Sequence, residues 1–413
     1  MELHAGFSGQ QWVIDGYLLT LSALILLGGS LGDIYGRKKV YFWGVAGFGL
    51  MSLVCAVAPS IGVLVGARLA QGVFGALMVP GALAIIDTAF SEKLRGRAIG
   101  LWTAATSGII ALGPLLGGYL LDVGSWRMLF LINVPLLLLT FWLGAQAIAE
   151  SKDRLPRKVD SGGALLMCVA LAGLTYGLIE GPSTQWAAST LLALLIGAVC
   201  FVAFVWYEAH QRDPMLPLRL FASRNFTGAN VATFAMYGGL GGFFFALIIY
   251  VQTTLHYRGI QAGLISLPVS FFLVALSGRV GALSGRYGPR FFMTLGPIIA
   301  GIGMLTLLPL HEGSGYLTSI LPGVALFGLG MSLTVAPLTT TVLAAVRKDD
   351  AGIASAVNNA VSRVSGLAVI AVLGLFGSSQ VYQFAVVLCG SLAIGAGVLS
   401  FIMVRNSEVL AKR

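Results

Sequence analysis

The chain has 413 residues, 57% of them hydrophobic and 10% charged, with a formal net charge of +9 and a mean hydropathy of +0.90. A soluble domain carries roughly 25% charged residues, so this chain cannot coat a water-facing surface. The composition is that of a polytopic membrane protein.

Apolar runs long enough to span a bilayer follow one another, near 11–31, 40–58, 62–89, 98–120, 128–148, 162–180, 187–207, 226–253, 260–283, 291–310, 316–345, 352–377 and 382–404. A spanning helix needs about 17–25 apolar residues, and lipid admits only helices or closed barrels. Runs of this length exclude barrel strands, so thirteen transmembrane helices and an all-α fold are expected. The 55 glycines fit close helix packing in lipid. Met1–Gln11 is polar, with no basic region before a short apolar core, so no cleavable signal is expected. The four cysteines (Cys55, Cys168, Cys200, Cys389) stand singly in apolar runs and read as small core residues. His4, His210, His256 and His311 are scattered, so no metal or other cofactor is expected.

Of the 25 Lys and Arg residues, 20 fall in one set of alternate loops and the C-terminal tail. They begin with Arg37–Lys39 and include Lys93, Arg95 and Arg97, Lys152–Lys158, Arg212–Arg224, Arg286, Arg290 and Arg347. Such a bias marks the cytoplasmic side. The positive charge is thus a topology signal, and no nucleic-acid partner is expected.

The stretch Gly28–Lys39, G-G-S-L-G-D-I-Y-G-R-K-K, closes the first run. It recurs 252 positions later as L-S-G-R-Y-G-P-R at Leu283–Arg290, where Tyr35 maps to Tyr287 and Gly36 to Gly288. In the second copy one further helix, 226–253, precedes the helix leading to the motif. Its first-copy counterpart would lie ahead of residue 1, so the reading is a chain without one first helix, which would bring the count to fourteen. The expected organisation is an N-terminal bundle at 1–148, a linker with two additional helices at 149–225, and a C-terminal six-helix bundle at 226–413. Two parallel-repeat bundles are a transporter plan.

Several ordered patterns resemble the major facilitator superfamily, in particular its fourteen-helix drug:proton antiporter branch (EmrB/QacA-like exporters). They are G-x-L-G-D-x-x-G-R-K-K at Gly29–Lys39, L-x-x-x-R-x-x-Q-G at Leu64–Gly72 and G-x-x-x-x-G-P-x-x-G-G at Gly108–Gly118. S-W-R-x-x-F-x-I-N-V-P at Ser125–Pro135 and P-M-L-P-L-R-L-F at Pro214–Phe221 complete the set. The resemblance implies proton-coupled export of amphipathic, cationic small molecules by alternating access, from a monomer in a bacterial cytoplasmic membrane. The alternatives are an exporter of one metabolite or lipid, or a chain that does not transport. No phosphate-binding G-x-x-x-x-G-K-[ST] stretch and no nucleophile–base arrangement occur, so neither ATP-driven transport nor enzyme activity is expected.

Asp15 is the one carboxylate well inside a run. A charge there is costly, which makes it a candidate to bind and release a proton; the alternative is an interfacial acid satisfied by water or an amide. Arg68 cannot shed its charge. It either pairs with Asp15 in a proton-driven switch or is held by backbone carbonyls, and the resemblance implies a part in proton transfer. The resemblance implies that Gly32, Asp33, Gly36 and Arg37 form a latch, with Arg37 expected to meet Asp87 and Asp33 to dock at the helix start Gly352–Ser355; the alternative is a role in setting topology alone. Gly108, Gly113, Pro114, Gly117 and Gly118 form the exporter motif, in which proline kinks the helix and small residues permit tight packing. Tyr17, Gln71, Tyr237, Phe244, Asn358 and Arg363 are candidate cavity residues. For Arg363, lining and satisfaction by packed carbonyls are both open. A wall of Phe243–Phe245, Tyr237, Tyr250, Phe271 and Phe272 is expected to touch substrate with only a minority of its members.

Overall fold

The computed structural model describes residues 3, 6–89, 112–113, 115–151, 159–211, 214–347, 350–375 and 381–406. Among them the regular structure is entirely helical. The helices are α1 (Phe7–Tyr35), α2 (Arg37–Ala56), α3 (Ile61–Ala89), α4 (Met128–Leu131), α5 (Asn133–Ala147), α6 (Ser161–Glu180) and α7 (Ala188–His210). There follow α8 (Arg224–Thr253), α9 (Gly259–Leu264), α10 (Leu267–Tyr287), α11 (Pro289–Leu305), α12 (Leu321–Ala344), α13 (Ala351–Leu373) and α14 (Val381–Met403). A 3-10 turn occupies Leu218–Ala222 and a π-helical turn Tyr316–Ile320. Among the described residues, eleven helical spans are long and apolar enough to cross a membrane. The shorter apolar helix α11 fills the tenth expected run, and the run 98–120 lies mostly outside the described residues.

The chain divides into two compact units. One comprises 1–105 and 124–217, and the other comprises 106–123 and 218–413. By contacts, the described residues of 115–123 group with 218–413.

In the first unit α1 packs on α3 and α6, α2 on α3 and α5, and α6 on α7. The α1–α3 crossing is close because it is built on glycine. A side chain at Gly28 would strike the Ala76 carbonyl, and one at Gly72 the Tyr17 carbonyl and the Thr20 hydroxyl. Thr20 Oγ1 uses that proximity to donate to the Leu69 carbonyl at 2.7 Å. Leu191, Leu192, Leu195, Val199, Val202 and Trp206 of α7 are exposed, which is the surface of a helix that faces lipid. In the second unit α8 packs on α13 and α14, α11 on α12 and α14, and α10 on α12. Phe226, Phe243 and Phe327 are fully buried there.

The repeated motif gives the same turn twice. α1 stops at Gly36, with φ of +109°, and α10 at Gly288, with φ of +87°. Side-chain-bearing residues avoid that left-handed region at a cost of about 1–2 kcal/mol. Each following helix is then held at its N-terminus by a polar group from the far end of its own half. The Glu150 carboxylate accepts from the Lys38 and Lys39 amides at 3.0 and 3.2 Å. Asn406 Oδ1 accepts from the Arg290 amide at 3.1 Å. Glu150 and Asn406 both fill the space a β-carbon would need at Gly36 and Gly288. A carboxylate at the start of α2 also complements the helix dipole.

Candidate functional site

In the first unit α1 and α3 bring the two intramembrane charges into one neighbourhood. Asp15 is completely buried, and neither of its carboxylate oxygens has a hydrogen-bond partner. Arg68 is satisfied by other groups. Its Nε donates to the Val13 carbonyl at 2.7 Å and its Nη1 to Gln71 Oε1 at 2.6 Å. The guanidinium also lies over the Tyr17 ring, 4.4 Å from its centroid, and 5.9 Å from that of Phe130. The direct Asp15–Arg68 pair is therefore not formed. Neutral acceptors and a π-face capture the cation, which is the carbonyl-held alternative read from the sequence.

Behind the arginine runs a polar chain that crosses helices. Gln71, 1% exposed, donates from Nε2 to Ser52 Oγ at 2.7 Å. Asn133 Nδ2 donates to the same hydroxyl at 3.4 Å. The line from Val13 through Arg68, Gln71 and Ser52 to Asn133 thus joins α1, α3, α2 and α5. Sequence reasoning found Arg68, Gln71 and Tyr17 but missed Ser52. Asn133 stood in a recognised motif and was given no role. Buried polar groups in lipid need such partners, so a Ser or Asn in an apolar run facing Gln71 was the available signal.

The latch residues sit at the α1–α2 turn. Arg37 binds Asp33, with Nε and Nη2 at 2.9 and 2.8 Å from Oδ1. The expected Arg37–Asp87 contact falls on a side chain outside the described residues. Gly32 receives the Gly36 amide on its carbonyl at 3.0 Å, closing α1.

Of the exporter motif, Gly108 and Pro114 lie outside the described residues, so the expected kink has no described geometry. Gly113 faces open space, Gly117 is half-buried and Gly118 is buried. A β-carbon on Gly118 would strike the Gly259 carbonyl. One turn on, Asp122 accepts from the Gly259 and Ile260 amides at 2.9 and 3.0 Å, holding the start of α9.

In the second unit Asn358 donates to Asn230 Oδ1 at 3.1 Å and to Thr233 Oγ1 at 2.7 Å, tying α13 to α8. Tyr237 on α8 interacts electrostatically with Arg363 on α13, and both are half-buried. Phe244 is half-buried against Phe243 and Phe327, with ring centroids 5.5 and 5.8 Å away. Phe243 is core, Tyr250 stacks on Tyr382 at 4.0 Å, and Phe271 is exposed. The expected aromatic wall thus divides among core, stacking and surface positions.

Residues 1–370 match the family model described as Major Facilitator Superfamily. The chain belongs to that superfamily. As a major facilitator protein it is a multi-pass membrane transporter rather than an enzyme. It is 36% identical over 371 residues to the multidrug resistance protein Stp of Mycobacterium tuberculosis (strain CDC 1551 / Oshkosh), covering 89% of this chain and 69% of that protein. It is 34% identical to the methylenomycin A resistance protein of Streptomyces coelicolor over 371 residues, 88% of this chain and 77% of that protein. With the puromycin resistance protein pur8 of Streptomyces alboniger the identity is 35% over 379 residues, 90% and 75% of the two chains. Among solved structures, a POT family transporter in complex with a thioalcohol-conjugated peptide superposes with a TM-score of 0.74. The match covers 97% of this chain and 88% of that one at 12% identity, a likeness of fold.

Proposed function

We propose that this major facilitator protein exports amphipathic, cationic small molecules in exchange for protons by alternating access. In this reading it is a monomer of the fourteen-helix drug:proton antiporter branch in a bacterial cytoplasmic membrane. The multidrug and antibiotic resistance proteins among its relatives support drug-like substrates. The two helices α6 and α7 between the repeats, and the motifs at Gly108–Gly118 and Pro214–Phe221, support the branch.

The observation that carries proton coupling is Asp15, a wholly buried carboxyl without a donor. An ionised carboxylate so placed is strongly disfavoured unless a cation comes to it. With the acid neutral, Arg68 rests on Val13, Gln71 and Tyr17. Loss of the proton draws the guanidinium toward Asp15 and off the Gln71–Ser52–Asn133 chain, which shifts the balance between two arrangements of α1 and α3. A cationic substrate approaching Asp15 competes for the same charge, so proton and drug exclude one another.

The test is proton-gradient-driven efflux of a panel of cationic and neutral compounds from proteoliposomes. Asp15→Asn is expected to abolish gradient-driven efflux while the protein stays folded. Unchanged efflux removes Asp15 from the mechanism. Saturation by one compound with no competition from the panel favours a dedicated exporter.

A further inference from the structure

The inserted pair α6 and α7 ends on the basic side in a feature that the transport reading does not use. Asp160 is the N-cap of α6, its Oδ1 accepting from the Gly163 amide at 2.8 Å. Glu208 stands in the last turn of α7, its Oε2 accepting from the Leu216 amide at 2.9 Å. The two side chains are 7% and 2% exposed. Their remaining oxygens, Asp160 Oδ2 and Glu208 Oε1, are buried with no donor. Both crowd the space over Gly163 where a β-carbon would stand. The two orphaned oxygens therefore converge on one point above Gly163. Two bare carboxylates have only acceptors to offer, so a hydrogen bond between them requires a proton on one.

Tyr207, beside Glu208 on α7, interacts electrostatically with both acids, and its hydroxyl receives Gln211 Nε2 at 2.6 Å. His210 is turned to the Trp206 carbonyl and ring. α1, which packs on α6, carries Asp33 near its end, and that acid is paired with Arg37 at the start of α2. Among the described residues no cation is paired with Asp160 or Glu208.

We propose that Asp160 and Glu208 form a second proton-binding site in which one proton is shared between Oδ2 and Oε1. The shared proton is also what holds the strap Pro214–Ala222 at its first end. It keeps Glu208 turned inward, so that the other oxygen can accept from Leu216. The far end of the strap is held by Arg219, whose Nη1 and Nη2 lie 2.9 and 2.7 Å from the two Asp350 oxygens. When the proton leaves to solvent, two adjacent buried charges remain, and like charges this close do not both persist. Glu208 swings out and the Leu216 amide is released. The site stands whether or not Asp15 is the coupling acid.

Infrared spectroscopy of the full chain in lipid tests this by the carbonyl stretch of a protonated carboxylic acid. The measurement is made in an Asp15→Asn background, so that this buried acid adds no band, while Asp350 is held as a carboxylate by Arg219. One band is expected at neutral pH, fading as the pH is raised. Glu208→Gln and Asp160→Asn, whose amides replace the proton as donor and preserve the fold, are each expected to remove the whole band. Loss in both variants, although each deletes only one of the two acids, identifies a shared proton. A band that survives in either variant, or no band with both acids present, overturns the proposal.

Discussion

At Arg68 a half-buried cation is held without an anion. Its donors are spent on one main-chain carbonyl and one amide oxygen, and its face on a tyrosine ring. A lysine keeps the charge but has neither the fork nor the flat face. Arg68→Lys is therefore expected to insert normally yet lose proton-driven efflux by at least tenfold in the proteoliposome assay. Gln71→Leu orphans Arg68 Nη1 and takes one donor from Ser52. An unsatisfied buried group costs about 1–3 kcal/mol, which a lowered unfolding temperature in detergent would register. Ser52→Ala should behave similarly but more mildly, because Gln71 keeps its bond to the arginine. The sequence made Asp15 and Arg68 visible because charges are rare in apolar runs. It did not reveal their partners, because every residue carries a carbonyl and no spacing marks the one an arginine will choose.

At the scale of elements, the hydrophobic runs foretold the helices within a few residues, and the repeat foretold where two of them must turn. Length and hydropathy are local properties, so they survive reading from sequence. The contacts that finish the turns are not local. Nothing near Gly36 announces that Glu150 will cap α2, and nothing near Gly288 announces Asn406. The left-handed backbone at both glycines predicts that Gly36→Ala and Gly288→Ala each destabilise the protein by more than the about 1–2 kcal/mol of backbone strain, since the added carbon also displaces the capping group. Thermal unfolding of the two variants measures this. Gly118 belongs to the same class of position. Gly118→Val forces the 115–123 segment off the Gly259 backbone, and loss of export with retained membrane insertion is the expected result. Drug export unaffected by valine would mean that this close approach has no part in transport.

On the scale of the whole molecule, the sequence repeat and the compact units divide the chain differently. The repeat follows helix order, whereas compactness follows contacts, and the described residues of 115–123 group by contact with a half that they precede in order. The bond between Arg219 and Asp350 joins residues 131 positions apart. Because the arginine is largely exposed, the coupling measured in an Arg219→Ala, Asp350→Ala double-mutant cycle is expected to shrink as salt is added. The caps on the two glycine turns also have a bearing on synthesis. The amide of Lys38 waits for a carboxylate 112 residues downstream, and that of Arg290 for an amide 116 residues downstream. During translation, each turn must enter the membrane with its helix start uncapped, and the ribosome completes it only on reaching the last residues of that half. The residues just past α5 and α14 thus complete the two turns, and a nascent chain arrested before Glu150 should remain open to proteases at Gly36.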